Sequence, residues 1–260
     1  SDNNAHIVYT DEANDDLKYA TNSPNTNTDP STGWTVHRLA NYNDNIGQFP
    51  SIAIDSNDKG HVSYYDSTNN AWMYLFNLED HGSGYSYSTA GSNMISYWNS
   101  LSLDESDNPH FSFYDADAES LVYATKEDNS WSGPTYPTTH ISGSEMFETS
   151  IVVGGDDQIH ILYSDNMMGH IAYSNYDETR SNQPWAHDEI YQNNDADATG
   201  KHSSLSIDDN DVLHATYAIP SSTGETQAGL YYASTISGSW SSTLISNNIA
   251  IKDTSIATDL

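Results

Sequence analysis

The chain has 260 residues, 36% hydrophobic and 12% aromatic, with no cysteine and a formal charge of −30 from 37 acidic against 7 basic side chains. That charge repels nucleic acid and anionic membrane surfaces, and the missing cysteines exclude disulfides and thiol chemistry. No run approaches the roughly 18 apolar residues of a spanning helix, so membrane insertion is not expected.

In chain order, a first strand at His6–Asp11 (HIVYTD) is followed by Leu17–Thr21 and Trp34–Leu39. Then comes a unit that recurs throughout: Ser51–Asp66 (SIAIDSNDKGHVSYYD), Ser100–Asp115 (SLSLDESDNPHFSFYD), Ser150–Asp165 (SIVVGGDDQIHILYSD) and Ser204–Ile219 (SLSIDDNDVLHATYAI). Each is an apolar strand, a polar turn and a second strand opening on His. After every unit two further β-rich runs appear, at Trp72–Phe76 and Tyr85–Thr89, at Leu121–Thr125 and Trp131, at His170–Ser174 and Trp185–Ile190, and at Leu230–Ser234 and Trp240–Ile245. Clusters of Gly, Asn, Asp, Ser and Pro separate them, and no stretch carries a capped helical period.

The repeat histidines His6, His61, His110, His160 and His214 recur at steps of 49 to 55 residues. The C-terminal Ser255–Asp259 (SIATD) has the form of a first strand, and His6–Asp11 that of a second, so the two ends together make a fifth copy. Four short strands per unit of about 50 residues predict an all-β, five-bladed β-propeller forming one domain over 1–260, closed by terminal strands that share a blade. The inner strands fall near 51–55, 100–104, 150–154, 204–208 and 255–259. On them Ile52 and Ile54 face the packed layer, while Ser51 and Ala53 face the narrow axis, where the other copies also carry Ser, Ala or, once, Val.

The pattern S-[IL]-x-[IL]-D-x5-H-x2-[YF]-x-D followed by L-x-Y-A resembles the BNR-like repeats of sialidase-like propellers, and five units of this length are similar in architecture to the tachylectin-2 type of sugar-binding lectin. The resemblance implies a propeller fold and a carbohydrate or glycan as partner. The chain departs from sialidases in lacking the S-x-D-x-G-x-x-W box and in having only two arginines, Arg38 and Arg180, where sialidases use three.

Positions where the repeats disagree point to a single central site, because architecture constrains all blades alike. Two residues before each repeat serine stand Phe49, Trp98, Glu148, His202 and Asp253, and three before it Gln48, Tyr97, Phe147, Lys201 and Lys252. Aromatic faces beside carboxylate, ammonium and imidazole groups suit a sugar, so Phe49, Tyr97, Trp98, Phe147, Glu148, Lys201, His202 and Asp253 are the expected ligand-binding set. The same set could be catalytic, with Glu148 and Asp253 as paired carboxylates and His202 as a base of a glycoside hydrolase or polysaccharide lyase. A third reading is a structural or adhesive surface module that binds other surface proteins.

The repeat histidines are expected to be structural, packing blade to blade. Asp66, Asp115 and Asp165, with Asp11, close the second strands; they are candidate ligands for Ca2+, with turn capping as the simpler role. A lectin with one site per blade would leave Trp34, Trp131, Trp185 and Trp240 partly exposed. The acidic surface and absent cysteine fit a secreted or cell-surface protein of a saline or marine microbe, and the initial Ser1 fits a processed chain.

Overall fold

In the structure, a computed structural model, all residues are described except 1–3, 24–27, 41–45, 80–83, 93–94, 133, 138–147, 156, 166–169, 178, 181–183, 192–200, 220–227, 248–250, 252 and 259–260; at 40, 46, 165, 201 and 202 only the backbone is described. The described residues form nineteen strands in five antiparallel sheets. Blade 1 is β1 (His6–Asp11), β2 (Asp16–Thr21) and β3 (Thr35–Ala40). Blade 2 is β4 (Ile46–Ile54), β5 (Gly60–Asp66), β6 (Ala71–Leu78) and β7 (Ser86–Ser92). Blade 3 is β8 (Ser96–Leu103), β9 (Pro109–Asp115), β10 (Ser120–Glu127) and β11 (Ser130–Trp131). Blade 4 is β12 (Thr149–Val153), β13 (Ile159–Asp165), β14 (His170–Tyr176) and β15 (Trp185–Tyr191). Blade 5 is β16 (Lys201–Ile207), β17 (Leu213–Ile219), β18 (Gly229–Ser234) and β19 (Ser241–Asn247). Strand order within each sheet follows the chain, so every blade is an up-and-down meander. The protein is an all-β, five-bladed propeller.

The second strands sit between neighbouring sheets, and β5 and β9 are buried along their whole length. Both faces of such a strand must therefore be apolar or satisfied, which is why the alternation predicted for a half-exposed strand is absent there. Four apolar cores fill the interfaces between consecutive blades: Leu17 with Val62 and Leu75, Trp72 with Phe111 and Phe113, Tyr114 with Ile151 and Ile161, and Leu162 with Leu205 and Ala215. The fourth-strand tryptophans are half-buried in these seams, each edge-on to a tyrosine of the preceding blade: Trp131 on Tyr74 at 5.6 Å, Trp185 on Tyr123 at 5.2 Å and Trp240 on Tyr173 at 5.3 Å. Trp34 is half-buried as well.

Small residues at the axis have a reason beyond crowding. The hydroxyl of each repeat serine accepts the backbone N–H one residue past the serine of the next blade: Leu101 on Ser51 (3.2 Å), Ile151 on Ser100 (3.1 Å) and Leu205 on Ser150 (3.1 Å). Adjacent inner strands belong to different sheets and do not pair by backbone, and the serine hydroxyls satisfy N–H groups that no ladder reaches.

The C-terminal segment continues this ring. Ile256 N–H reaches Ser204 Oγ at 3.3 Å, Thr258 N–H reaches Ser206 Oγ at 3.2 Å, and Thr258 Oγ1 donates to the Ile207 carbonyl at 2.7 Å. Its pairing with β1 is not found among the described residues, so blade 1 has three strands and the predicted closure is not seen. Accordingly Ile7 and Tyr9 on β1 are 46% and 38% exposed, where the corresponding Val62 and Tyr64 of β5 are 0% and 6%.

Candidate functional site

The repeat histidines, expected to pack blade to blade, each make a hydrogen bond within their own blade. Each Nδ1 meets a tyrosine hydroxyl on the following strand of its sheet: His6 with Tyr19 (2.7 Å), His61 with Tyr74 (2.5 Å), His110 with Tyr123 (2.7 Å), His160 with Tyr173 (2.5 Å) and His214 with Tyr232 (2.6 Å). On the other side, Nε2 faces the aspartate that ends the first strand, at 3.2 Å for His61–Asp55, 3.4 Å for His110–Asp104 and 3.3 Å for His214–Asp208. With the tyrosine donating to Nδ1 and Nε2–H directed at the carboxylate, the imidazole is held as one tautomer. An Asp–His–Tyr set resembles a catalytic relay, but its presence in blade after blade makes it a clamp across three strands. The tyrosine was missed from sequence, although its spacing of 13 from the histidine in four blades was there to be read.

The rim aspartates cap turns. Asp66 Oδ1 accepts the N–H groups of Thr68 (3.0 Å) and Asn69 (3.1 Å), and Asp115 Oδ1 those of Asp117 (3.0 Å) and Ala118 (3.1 Å). The side chain of Asp165 lies outside the described residues. Among the described residues no group of three or more His, Cys, Asp or Glu is arranged to hold a metal ion.

At the end of the axis where the inner strands begin, the predicted mouth residues come together in part. They lie on the strands themselves, because β4, β8 and β16 start before the repeat serine. Bulges interrupt the pairing at Gln48/Ser51 and at Tyr97/Asn99, and within them Phe49 and Trp98 adopt left-handed backbone, φ 49° and 50°. Bulky residues rarely occupy that region, and where they do the surrounding contacts hold them there for a reason. Here the bulges throw both rings toward each other: Phe49 and Trp98 lie 5.3 Å apart, with Tyr97 edge-on to Phe49 at 6.0 Å. Asn99 locks the pair of blades by donating to the Phe49 carbonyl while accepting from Ser63. All three rings are half-buried, and the Trp98 indole N–H has no hydrogen-bond partner among the described residues.

The other members are dispersed in role. Glu148 Oε2 accepts the Ser203 N–H of blade 5 at 3.1 Å, a bridge between neighbouring inner strands. Asp253 is exposed and accepts the N–H of Thr254 at 2.8 Å. Lys201 and His202 are placed by their backbone in β16, with side chains outside the description, and Phe147 lies outside it altogether.

A second concavity opens between blades 3 and 4, on the turn side of the ring. It is a cavity of about 440 Å3 whose lining includes Asp104, His110, Tyr123 and Glu127 from blade 3 and Asp157 and Tyr176 from blade 4. Burial lowers the His110 pKa, so its imidazole is neutral at physiological pH. Burial would raise Asp104, but hydrogen bonds from Asn108 and the nearby His110 Nε2–H outweigh it and hold the carboxyl below its ordinary range.

No family model matches the chain, and no curated protein matches it. Among solved structures it is similar to a polysaccharide lyase of family PL25, an ulvan lyase, with a TM-score of 0.66 at 12% identity over 96% of this chain and 70% of that one. It is similar to AofleA from Arthrobotrys oligospora, with a TM-score of 0.61 at 13% identity over 98% and 73%. It is also similar to the NanB sialidase from Streptococcus pneumoniae, with a TM-score of 0.52 at 14% identity over 80% and 33%. At these identities the likeness is one of fold.

Proposed function

We propose that the protein is a glycan-binding module acting outside the cell, with its site at the mouth of the ring around Phe49, Tyr97 and Trp98. The observation that carries this reading is the pair of bulges that hold two aromatic residues of adjacent blades in left-handed backbone with their rings together. Half-buried rings present the flat apolar faces on which the C–H face of a sugar stacks. That one fold neighbour was solved bound to a sulfated glucuronic acid–rhamnose saccharide is consistent with glycan recognition on such a scaffold. A fold hosts many functions, so the site and not the likeness supports the proposal.

A glycan-array screen of wild type, Trp98→Ala, Phe49→Ala and Glu148→Gln/Asp253→Asn, with and without calcium, tests it. Loss of binding in both aromatic variants, with melting temperatures near wild type and binding kept in the carboxamide variant, is the expected result. Consumption of a bound glycan that the carboxamide variant abolishes would replace the module by an enzyme. Absence of any glycan binding would leave the protein-binding surface module as the reading.

A further inference from the structure

Blades built to one plan allow neighbouring clefts to be compared position by position. Three residues beyond the clamp tyrosine stand Asn22, Asn77, Lys126, Tyr176 and Thr235. Between blades 2 and 3 that residue is Lys126, only 9% exposed, with its ammonium 4.4 Å from the centre of the Phe76 ring, 5.5 Å from Tyr74 and 5.9 Å from Trp131. Aromatic faces attract a cation through their quadrupole, more strongly once water is excluded. This cleft is filled by an ammonium of the protein's own chain.

The next cleft, between blades 3 and 4, keeps an aromatic shelf, and among the described residues no lysine lies over it. Tyr123 and Trp185 occupy the places of Tyr74 and Trp131, and Tyr176 stands where Lys126 stood. Tyr123 and Tyr176 stack at 6.4 Å, and Trp185 braces both at 5.2 Å. Over the two tyrosines lies the cavity of about 440 Å3, lined by Asp104, Glu127, Asp157 and Asp177 and by no lysine or arginine.

Two of these carboxylates are already engaged. Asp104 accepts from Ser106, Asn108 and the second Asn108 donor at 2.7–2.9 Å, and Asp177 accepts from Thr179 and pairs with Arg180 at 3.3 Å. Glu127 and Asp157, one from each blade, are exposed and make no ion pair among the described residues. At equivalent seams the second turn aspartate is used up as a clasp: Asp107 takes the Ser56 N–H at 2.9 Å, and Asp211 takes the Gly155 N–H at 3.0 Å. Across this seam the matching residues are Glu105 and Asp157, and no such clasp is found between them among the described residues, which leaves Asp157 to the cavity. At the back, His110 is 5% exposed, and its buried Nε2 stands 3.4 Å from Asp104 without a hydrogen-bond partner.

We infer that this cleft binds the primary ammonium group of a small ligand, with the ligand's carbon frame against Tyr123 and Tyr176 and its charge between Glu127 and Asp157. The neighbouring cleft shows the same chemistry satisfied from within by Lys126. This site is separate from the aromatic mouth and does not depend on it.

Calorimetric titration of the full chain at about 0.15 M salt, where long-range attraction to the acidic surface is screened, tests the site. The probes are a fully deacetylated glucosamine disaccharide, its N-acetylated counterpart and 1,5-diaminopentane. The deacetylated sugar is expected to bind roughly tenfold more tightly than the acetylated one. Glu127→Gln/Asp157→Asn, which alters two exposed side chains and leaves the clamps intact, should remove that preference, and Trp98→Ala should keep it. In Tyr176→Lys the introduced ammonium should fill the cleft and abolish binding. Binding of the diamine at similar strength would show that the amine alone suffices; selective binding of the amino sugar would identify the sugar as the carrier. Equal affinity for the free and acetylated sugars, or a preference unchanged in the carboxamide variant, overturns the inference whatever becomes of the mouth.

Discussion

A histidine gripped by a tyrosine on one side and an aspartate on the other can be read as chemistry or as masonry, and repetition decides. Five imidazoles meet five tyrosine hydroxyls at 2.5–2.7 Å, so a single catalytic centre is not what this arrangement builds. Removing one hydroxyl leaves a buried Nδ1 without its donor. Tyr123→Phe is therefore expected to cost about 1–3 kcal/mol, seen as a lower urea midpoint with an unchanged slope. The same clamp sets a pH response. Because burial depresses the folded-state pKa of His110, the unfolded chain takes up the proton first. Stability is then full above the ordinary histidine value of about 6.5 and declines as the pH falls below it. Asp104, also depressed, contributes above the ordinary carboxylate value and is lost only at lower pH, as it too is protonated. Thermal melts from pH 7.5 to 5 should show the first decline, and His110→Gln should flatten it.

At the level of the strand, the residue just before each repeat serine reports how neighbouring blades are joined. Asn99 accepts from Ser63, Thr149 Oγ1 donates to Ser112 Oγ at 2.8 Å, and Thr254 pairs with Thr216 at 3.2 Å. Each partner sits two residues past the repeat histidine of the preceding blade, so polar meets polar across these seams. Between blade 1 and blade 2 both positions are apolar, Val8 and Pro50. Between blades 4 and 5 they disagree: Leu162 is fully buried, and the Ser203 hydroxyl facing that seam is buried without a partner. An unsatisfied hydroxyl costs free energy, whereas a matched pair contributes it. Ser203→Ala should therefore leave stability unchanged or raise it by up to ~1 kcal/mol, while Thr149→Val should lower it by about 1–2 kcal/mol. Equal losses in the two variants would show that the seams are not matched in this way.

For the whole molecule the question is how the ring is held. Serine hydroxyls link each inner strand to the next, and the C-terminal segment 255–258 is bound to β16 by the same device. Removing residues 255–260 would strip these hydrogen bonds and that between Ser206 and Thr258, and would uncover the inner edge of blade 5. We expect a loss of about 2–4 kcal/mol for three to four hydrogen bonds, together with a lower melting temperature and no gain of helical signal by circular dichroism. Truncation that leaves the melting temperature unchanged would show that the C-terminal segment adds nothing to the ring. With 37 acidic residues on one chain, self-repulsion adds to the demand on these links.

Blade number and strand order were legible in the sequence because each depends on a local pattern repeated at a near-constant period, and local alternation with turn residues specifies a meander. The aromatic and charged mouth residues could also be picked out, since they break that pattern. Three things were decided only in the folded chain. The histidines bond within blades because the tyrosine that satisfies them lies one strand further on, in the same sheet. Phe49 and Trp98 meet because bulges rotate them out of the alternation, which no period reveals. The cleft between blades 3 and 4 is shaped by Tyr176, which stands where blade 3 has Lys126, and by an inter-blade clasp that is not found there among the described residues, and both facts belong to pairs of residues about 50 positions apart whose proximity comes from packing the blades side by side.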